Sequence, residues 1–447
     1  MKRTSHIFAV ILLTCVGAAR PAGEEIMPPK RADIAAAEIL FINASVWAFA
    51  YYGLDGYWSQ ISWQSVGMNM RHGFEWDPNK FKTNFFDHPY HGNLYFNTAR
   101  TNGLSFWEAA PFSFGGSMMW ELFMESEFPS YNDLLMTTLG GIALGEVMFR
   151  FSEQILDDRA AGSNRVLREI GAAVVNPVGG FNRLIRGDML QHRAVTNHIR
   201  ENISGLAAIG GSGNWRGADI EATQVRPALS LTLQYGRPLE MQAERKPFDH
   251  FTFRLWTSEG DTARNMGIMA RGLLAGVDLP SQNERMNHLV GLMQHYDYIN
   301  NAIVNFGAVT LAGAWLSRFE LGKGYRLAAA PHVGFILMGG SNNEYATSSH
   351  GLNYNYSTGL KARIDLLLTH PTYGALYADY NAFHFNSVQG IAGTDRVDVA
   401  SVVYNIPIWK NVGLGAEYIH YFRRARYETF AGTEKNYNGL RMLLSYT

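Results

Sequence analysis

The last part of the chain repeats with a period of two, and few folds satisfy that pattern over such a length. Leu229, Leu231, Leu233 and Tyr235 interleave with Ser230, Thr232 and Gln234. Tyr354, Tyr356, Thr358, Leu360, Ala362, Ile364 and Leu366 interleave with Asn353, Asn355, Ser357, Gly359, Lys361, Arg363 and Asp365. Leu440, Met442 and Leu444 form a third such face against Arg441 and Ser445. A strand turns successive side chains to opposite faces. Here one face suits lipid and the other water, which is the dyad pattern of a transmembrane β-barrel. Strands are expected near residues 200–209, 226–236, 248–257, 266–278, 287–298, 303–319, 325–338, 353–368, 372–385, 396–408, 412–424 and 437–447. Twelve strands meet the even count of single-chain outer-membrane barrels. Gly339–Asn343, Thr369–Pro371 and Gly432–Thr433 read as turns between them.

Composition agrees. Charged residues make up 17% of the chain, against roughly 25% in soluble domains. A soluble β-sandwich or secreted barrel would carry more charge outside and its apolar face inside. The 22 Tyr, 26 Phe, 10 Trp and 45 Gly suit strands with aromatic girdles. A net charge of -1 gives no footprint for nucleic acid.

The N-terminus reads as an export signal over residues 1–19. Lys2 and Arg3 precede an apolar run from Ile7 to Val16, and Gly17, Ala18 and Ala19 offer a cleavage site. The one cysteine, Cys15, lies inside it, so its removal would leave a chain without disulfides, and its retention a lipid anchor. No later run of 18 apolar residues is expected. Residues 20–32 read as a linker, 33–195 as a helical domain and 196–447 as the barrel. The helical domain is expected to pack in the lumen or under the barrel. An exported chain spanned by strands belongs in a Gram-negative-type outer membrane, with its lipid and the barrel-insertion machinery as partners. Barrels read by that machinery usually end on an aromatic, and here Tyr446 is penultimate, a mild departure that weakens the signal without removing it.

In the helical domain, Asp33 is expected to cap a helix carrying Ile39, Leu40, Ile42, Val46 and Phe49. Further helices are expected over about 112–127 and from Pro129-Ser130 to about Leu156. Gly141 and Gly145, four apart, predict close helix packing.

The chemistry-bearing residues concentrate between 72 and 153. They are His88, His91, Tyr95, Asn97, Arg100, Asn102, Glu121, Glu125, Ser130, Asp133, Glu146 and Arg150. Glu121 and Glu125 stand four apart, as on one helical face. Two such carboxylates repel unless a cation or a shared proton lies between them. Arg100, Arg150, His88 and His91 are the available counter-charges. Three readings stay open. One is a buried polar network through Tyr95, Asn97, Arg100, Asn102, Glu146 and Arg150. The second is a catalytic site with His88 or His91 as base, Glu121, Glu125 or Asp133 as partner, and Ser130 as a conceivable nucleophile, although no Gly-x-Ser-x-Gly elbow occurs. The third is a metal held by His88-x-x-His91 and the glutamates, although no sharp metal motif is present and no metal or other cofactor is assigned.

Several strings carry a resemblance: His88-Pro89-Tyr90-His91-Gly92, Trp120-Glu121-x-x-x-Glu125, Pro129-Ser130-x-x-Asp133, Gly140-Gly141-x-x-x-Gly145-Glu146, Asn176-Pro177, and Gln294-His295-Tyr296-Asp297-Tyr298. They resemble a family of bacterial envelope proteins with a domain of unknown function, which implies an outer-membrane location and no particular activity. The order Glu121, Glu125, Asp133, Gly141, Gly145 is also distantly similar to VanZ-like proteins, which are inner-membrane helices. Two functions follow as expectations. The first is a non-enzymatic barrel that supports envelope integrity or passes a lipid or small solute. The second is a lipid-modifying hydrolase or acyltransferase built on the His/Glu/Asp cluster.

Overall fold

A computed structural model describes residues 29–193, 198, 201–216, 225–242, 244–259, 265–281, 283, 285–301, 304–347 and 352–446. The expected export signal lies outside the described residues, as does most of the linker. The chain divides into two units, Met1–Asn202 and Ile203–Thr447.

The first unit is helical. Its helices are α1 (Ala32–Ala48), α2 (Trp63–His72), α3 (His88–Thr101), α4 (Phe106–Met119), α5 (Tyr131–Leu135), α6 (Gly141–Ile155), α7 (Gly162–Val175) and α8 (Pro177–Ile185). Local chemistry sets several starts. The Ser62 and Ser105 side chains accept from the backbone N–H three residues on, and Ser65 and Glu108 return the bond. Asn176 caps α8 ahead of Pro177. Asp33 does not cap α1. Arg31 holds that position, and Asp33 lies in the first turn, where its charge still suits the helix dipole. Wider π turns extend the regular helices at Phe49–Gly53, Thr83–Asp87, Trp120–Met124 and Met136–Gly140. Helix α3 packs on α6 with almost no gap. A Cβ on Gly141 would lie 2.5 Å from the Gly92 carbonyl carbon, and one on Gly145 would lie 2.7 Å from the Phe96 ring. The glycines serve close packing, as their spacing predicts.

Among the described residues, two helical stretches, Ala32–Gly53 and Tyr131–Ile155, are long and apolar enough to cross a membrane, which corrects the expectation that none would be. In Tyr131–Ile155 most residues are buried within the protein. Buried Glu146 and Arg150 and the π turn interrupt it, so it is read as a core helix.

The second unit is a closed antiparallel barrel of twelve strands. They are β1 (Ile203–Arg216), β2 (Arg226–Tyr235), β3 (Phe251–Ser258), β4 (Asn265–Leu279), β5 (Met286–Asn300), β6 (Asn305–Gly322), β7 (Tyr325–Thr347), β8 (Leu352–His370), β9 (Gly374–Gln389), β10 (Gly393–Trp409), β11 (Val412–Tyr427) and β12 (Thr433–Tyr446). Each strand pairs with its sequence neighbours, and β1 closes on β12 with Ala207 opposite Tyr446. Closure removes the sheet edges, whose unpaired backbone groups would be costly in lipid. Burial alternates as expected. On β11, Glu417, Ile419, Tyr421 and Arg423 are buried while Leu414 and Tyr418 are exposed. On β8, Lys361 and Arg363 are buried while Leu360, Ile364 and Leu366 are exposed.

Three readings need correction. Gly339–Asn343 is not a turn: it runs inside the long strand β7, where the ladder shifts register. Tyr354 and Tyr356, read as lipid-facing, are both buried with their hydroxyls 2.9 Å apart. Beside them the β8–β9 ladder skips Val388 on β9, so the irregularity lies in the partner strand and the alternation of β8 itself is kept. Leu233 and Tyr235 at the end of β2 are also buried, with the Tyr235 ring stacked on Phe251 at 4.7 Å.

The barrel interior is crossed by its own side chains. Arg254 on β3 reaches Asp379 on β9 (3.2 Å), Ser401 on β10 (3.0 Å) and Glu417 on β11. These strands are not neighbours of β3 in the closed order, so the bonds span the lumen. Arg441 completes the set at 2.9 Å from Glu417. Beside it lies an apolar cluster that includes Trp256, Phe306, Phe383, Phe385, Ile419 and Tyr421.

Candidate functional site

Asp133, His88, Glu121 and Glu125 meet inside the helical unit, on segments shaped by π turns. Thr83–Asp87 leads into His88, Trp120–Met124 contains Glu121 and delivers Glu125, and Met136–Gly140 follows the short helix that carries Asp133. Single π turns recur at functional sites because the extra residue re-aims side chains. Glu125 is not on the helical face of Glu121. The helix has ended there, and Glu125 has extended backbone (φ -138°, ψ 157°). The widened turn, not helical spacing, brings the two glutamates inward.

The cluster is held by a chain of hydrogen bonds. Glu121 Oε2 accepts from the Ser130 N–H at 2.7 Å. Glu125 Oε2 accepts from the Trp120 indole at 3.1 Å. Asn69 on α2 donates to the backbone oxygens of Glu121 (3.3 Å) and Glu125 (3.0 Å). Ser130 caps α5, its hydroxyl accepting from the Asp133 N–H at 3.3 Å, which places this serine in a helix cap. His88 Nε2 lies 3.2 Å from Asp133 Oδ1.

A fifth titratable residue, Asp77, joins them and was not singled out in the sequence. A parallel bridge pairs Glu75 with Ser130, through Glu75 N to Pro129 O (2.8 Å) and Tyr131 N to Glu75 O (2.9 Å). Two residues on, the Asp77 N–H donates to Asn132 Oδ1 at 2.9 Å, and Asn132 Nδ2 donates to Asp133 Oδ1 at 2.7 Å. The donor atoms of Asp77, His88 and Asp133 thereby lie within 4.8 Å of one another. The only sequence signal was Asp77-Pro78, an extended or turn dipeptide. The pairing that gives it meaning spans more than fifty residues.

His91 takes a different environment. Its ring packs 4.5 Å from that of Tyr95 and edge-on to Trp120 at 5.5 Å, and its buried Nε2 makes no hydrogen bond. Among the described residues it forms no ion pair.

Burial dominates the protonation of the site. It raises Glu121 and Glu125 well above the usual carboxylate range, and neighbouring carboxylates raise them further. Burial, then repulsion from Asp133, pushes Asp77 up to about 8. Asp133 rises to about 6 through burial, against the hydrogen bonds from Ser130, Asp77 and Asn132. Burial lowers His88, and takes His91 down to about 3. Near neutral pH the site thus favours protonated Asp77, Glu121 and Glu125 and an ionised Asp133 beside neutral imidazoles, and among the described residues neither Glu121 nor Glu125 pairs with a basic side chain.

The expected counter-charges go elsewhere. Arg100 and Arg150 both bind Glu146, at 2.7 Å each. Burial opposes the Glu146 charge, but the two guanidinium groups hold its carboxyl below the usual range. The Arg100 guanidinium also lies over the Phe149 ring at 4.2 Å. Asn97 bonds Asn93 and the Gly145 carbonyl, and it accepts from Asn176. Asn102 donates to Glu38, and the Tyr95 hydroxyl to Asn43. These residues form the structural network. A third buried group, missed in the sequence, joins His198 to Glu153 (2.8 Å) and Asp158 (3.2 Å), with Arg183 2.8 Å from Asp158.

Residues 73–178, which contain the whole carboxylate–histidine cluster, match the family model of a domain of unknown function (DUF3943). No curated protein sequence matches the chain. Among solved structures, the NanC porin aligns at 9% identity over 55% of this chain and 100% of its own, with a TM-score of 0.28. An anion-selective porin from Comamonas acidovorans aligns at 8% identity over 55% of this chain and 99% of its own, with a TM-score of 0.22. The translocator domain of the autotransporter NalP from Neisseria meningitidis aligns at 11% identity over 61% of this chain and 95% of its own, with a TM-score of 0.26. These superpositions are loose. The barrel assignment rests on the strand order and ladder of this chain.

Proposed function

We propose that this is an outer-membrane β-barrel protein whose helical unit carries an acid–base site for hydrolysis or acyl transfer on an envelope lipid. The observation that carries the reading is the 3.2 Å approach of His88 to Asp133 beside buried Glu121 and partly buried Glu125, neither of which pairs with a basic side chain among the described residues. A charge network built for stability balances its signs, as Glu146 does with Arg100 and Arg150. Titratable groups displaced by burial and by like charge cluster at functional sites.

In this reading His88 and Asp133 hold the attacking water or acceptor hydroxyl. The oxygen attacks an ester carbonyl and gives up its proton to the cluster. Protonated Glu121 or Glu125 returns a proton to the leaving alkoxide as the ester C–O bond breaks, so the protons balance. Lipid is favoured as the substrate class by the exposed rings beside the site. Tyr90 lies between His88 and His91, Phe123 between Glu121 and Glu125, and Tyr131 precedes Asp133 by two residues, and all three are solvent-exposed. The exposed apolar band of the strands supports placing the barrel in an outer membrane.

The test is mass spectrometry of outer-membrane lipids in a deletion strain complemented with the wild type or with Glu121→Gln. A lipid species altered by deletion, restored by the wild type and not by a folded Glu121→Gln chain supports the reading. An unchanged lipid profile rejects it. Passage of a lipid or small solute is the second reading, favoured by the closed barrel itself. It requires the bonds of Arg254 across the lumen to part.

A further inference from the structure

We infer that Asp77, His88 and Asp133 form a binding site for one divalent cation of the zinc or manganese type. The inference deepens the acid–base reading of the same cluster by naming what would hold the reacting water there, but cation binding can be measured without any lipid chemistry.

One imidazole nitrogen and two carboxylate oxygens lie within 4.8 Å of one another. The His88 Nε2 to Asp133 Oδ1 distance is 3.2 Å. Tetrahedral ligands at roughly 2.0–2.1 Å from a zinc ion stand about 3.3 Å apart, so this pair already has the spacing of two ligands on one ion. His88 Nε2 is buried and makes no hydrogen bond with Asp133 despite the short distance. A ring nitrogen held against a carboxylate oxygen in that manner has the arrangement of a ligand pair. One histidine with two carboxylates suits zinc or manganese, and three protein ligands leave a coordination position for water.

The donors are also held in place by their neighbours. Asn132 donates to Asp133 Oδ1 and accepts from the Asp77 N–H, so one amide fixes both acidic segments. Ser130 anchors Asp133 through its hydroxyl and Glu121 through its N–H. Outer hydrogen bonds of this kind orient metal ligands. The ligand set differs from the one the His88-x-x-His91 spacing suggests. His91 is packed between Tyr95 and Trp120, and Asp77 supplies the third donor instead.

The test uses the purified full-length chain in detergent, stripped with EDTA and dialysed against Zn²⁺ or Mn²⁺. Bound metal is then counted by mass spectrometry, and a Co²⁺-loaded sample is read by visible absorption. The wild type is expected to hold about one ion per chain and to show a Co²⁺ ligand-field band. Asp77→Asn and His88→Gln should lose both, while His91→Gln keeps them. Asn132→Ala should bind about 10–100-fold more weakly, the usual effect of removing an outer hydrogen bond. Protease resistance of the helical unit identifies variants that have failed to fold. A folded wild type that holds no Zn²⁺ or Mn²⁺ and gives no Co²⁺ band overturns the inference without any variant. So does metal retained by folded Asp77→Asn and His88→Gln. Metal bound with an unchanged lipid profile keeps the cation site and removes the lipid chemistry. A lipid product formed at full rate by a chain that binds no metal does the reverse.

Discussion

Glu146→Gln and Glu121→Gln are the same chemical change at two buried glutamates, yet they should differ in effect by several kcal/mol. Glu146 is ionised and holds Arg100 through bonds of 2.7 and 3.1 Å and Arg150 through one of 2.7 Å. At a charge separation of about 4 Å and an effective dielectric of about 20, each pair supplies up to ~4 kcal/mol of attraction, offset by the cost of burying it. Glutamine keeps the shape, removes the charge and leaves two buried guanidinium groups without their anion. Removing one member of such a set costs about 3–5 kcal/mol. Glu121 has no basic partner among the described residues, and burial, then the neighbouring carboxylates, favours its protonated form. Glutamine resembles that form and can still accept from the Ser130 N–H. Its effect near neutral pH should stay within about 1 kcal/mol, the range of one neutral hydrogen bond. The assay is pulse proteolysis of the helical unit in the full-length chain across a urea series. With a denaturant slope of roughly 2 kcal/mol per molar, a loss of ~4 kcal/mol moves the Glu146→Gln midpoint down by about 2 M. The Glu121→Gln midpoint should move by less than about 0.5 M. Equal shifts, or a larger one at Glu121, would refute the division into a charge-balanced network and a proton-sharing site.

Three further outcomes are expected. Gly92→Ala would put a Cβ 1.7 Å from the Thr137 oxygen and should destabilise the helical unit by at least the ~1–3 kcal/mol of ordinary overpacking, whereas Gly115→Ala meets open space and should be neutral or mildly stabilising in the same urea assay. Burial works against the His198 charge, but Glu153 and Asp158 outweigh it and raise the imidazole to about 9. A raised histidine stabilises fully below its unfolded value of about 6.5, and that stability is lost as pH climbs through about 9. The wild-type helical unit should therefore weaken between pH 7 and 9, and His198→Gln should flatten that slope in the urea midpoints. Arg254→Met leaves Asp379 and Glu417 without a cation that crosses the lumen. It should lower the temperature at which the barrel loses its heat-modifiable gel migration and raise conductance in planar bilayers, and an unchanged conductance would mean that Arg254 does not close the path.

The barrel was legible in the sequence because a strand's two-residue period is local. Leu360, Ile364 and Leu366 face out, and Lys361 and Arg363 face in, as the alternation alone requires. All twelve strands follow from it, and so does the close packing at Gly141 and Gly145. Register shifts are not local. Tyr354 and Tyr356 are buried where the β7–β8 and β8–β9 ladders are both irregular, a property of neighbouring strands together.

The site divides in the same way. The sequence by itself determined that His88, Glu121, Glu125 and Asp133 belong to one polar stretch inside a helical block. Tertiary structure alone decided their partners. It sent Arg100 and Arg150 to Glu146, set His91 against Tyr95 and Trp120, and brought Asp77 to Asp133 through Asn132. The physical reason is that a buried charge is governed by whichever groups lie within a few ångströms in space. Helix packing and π turns choose those groups, and spacing along the chain does not.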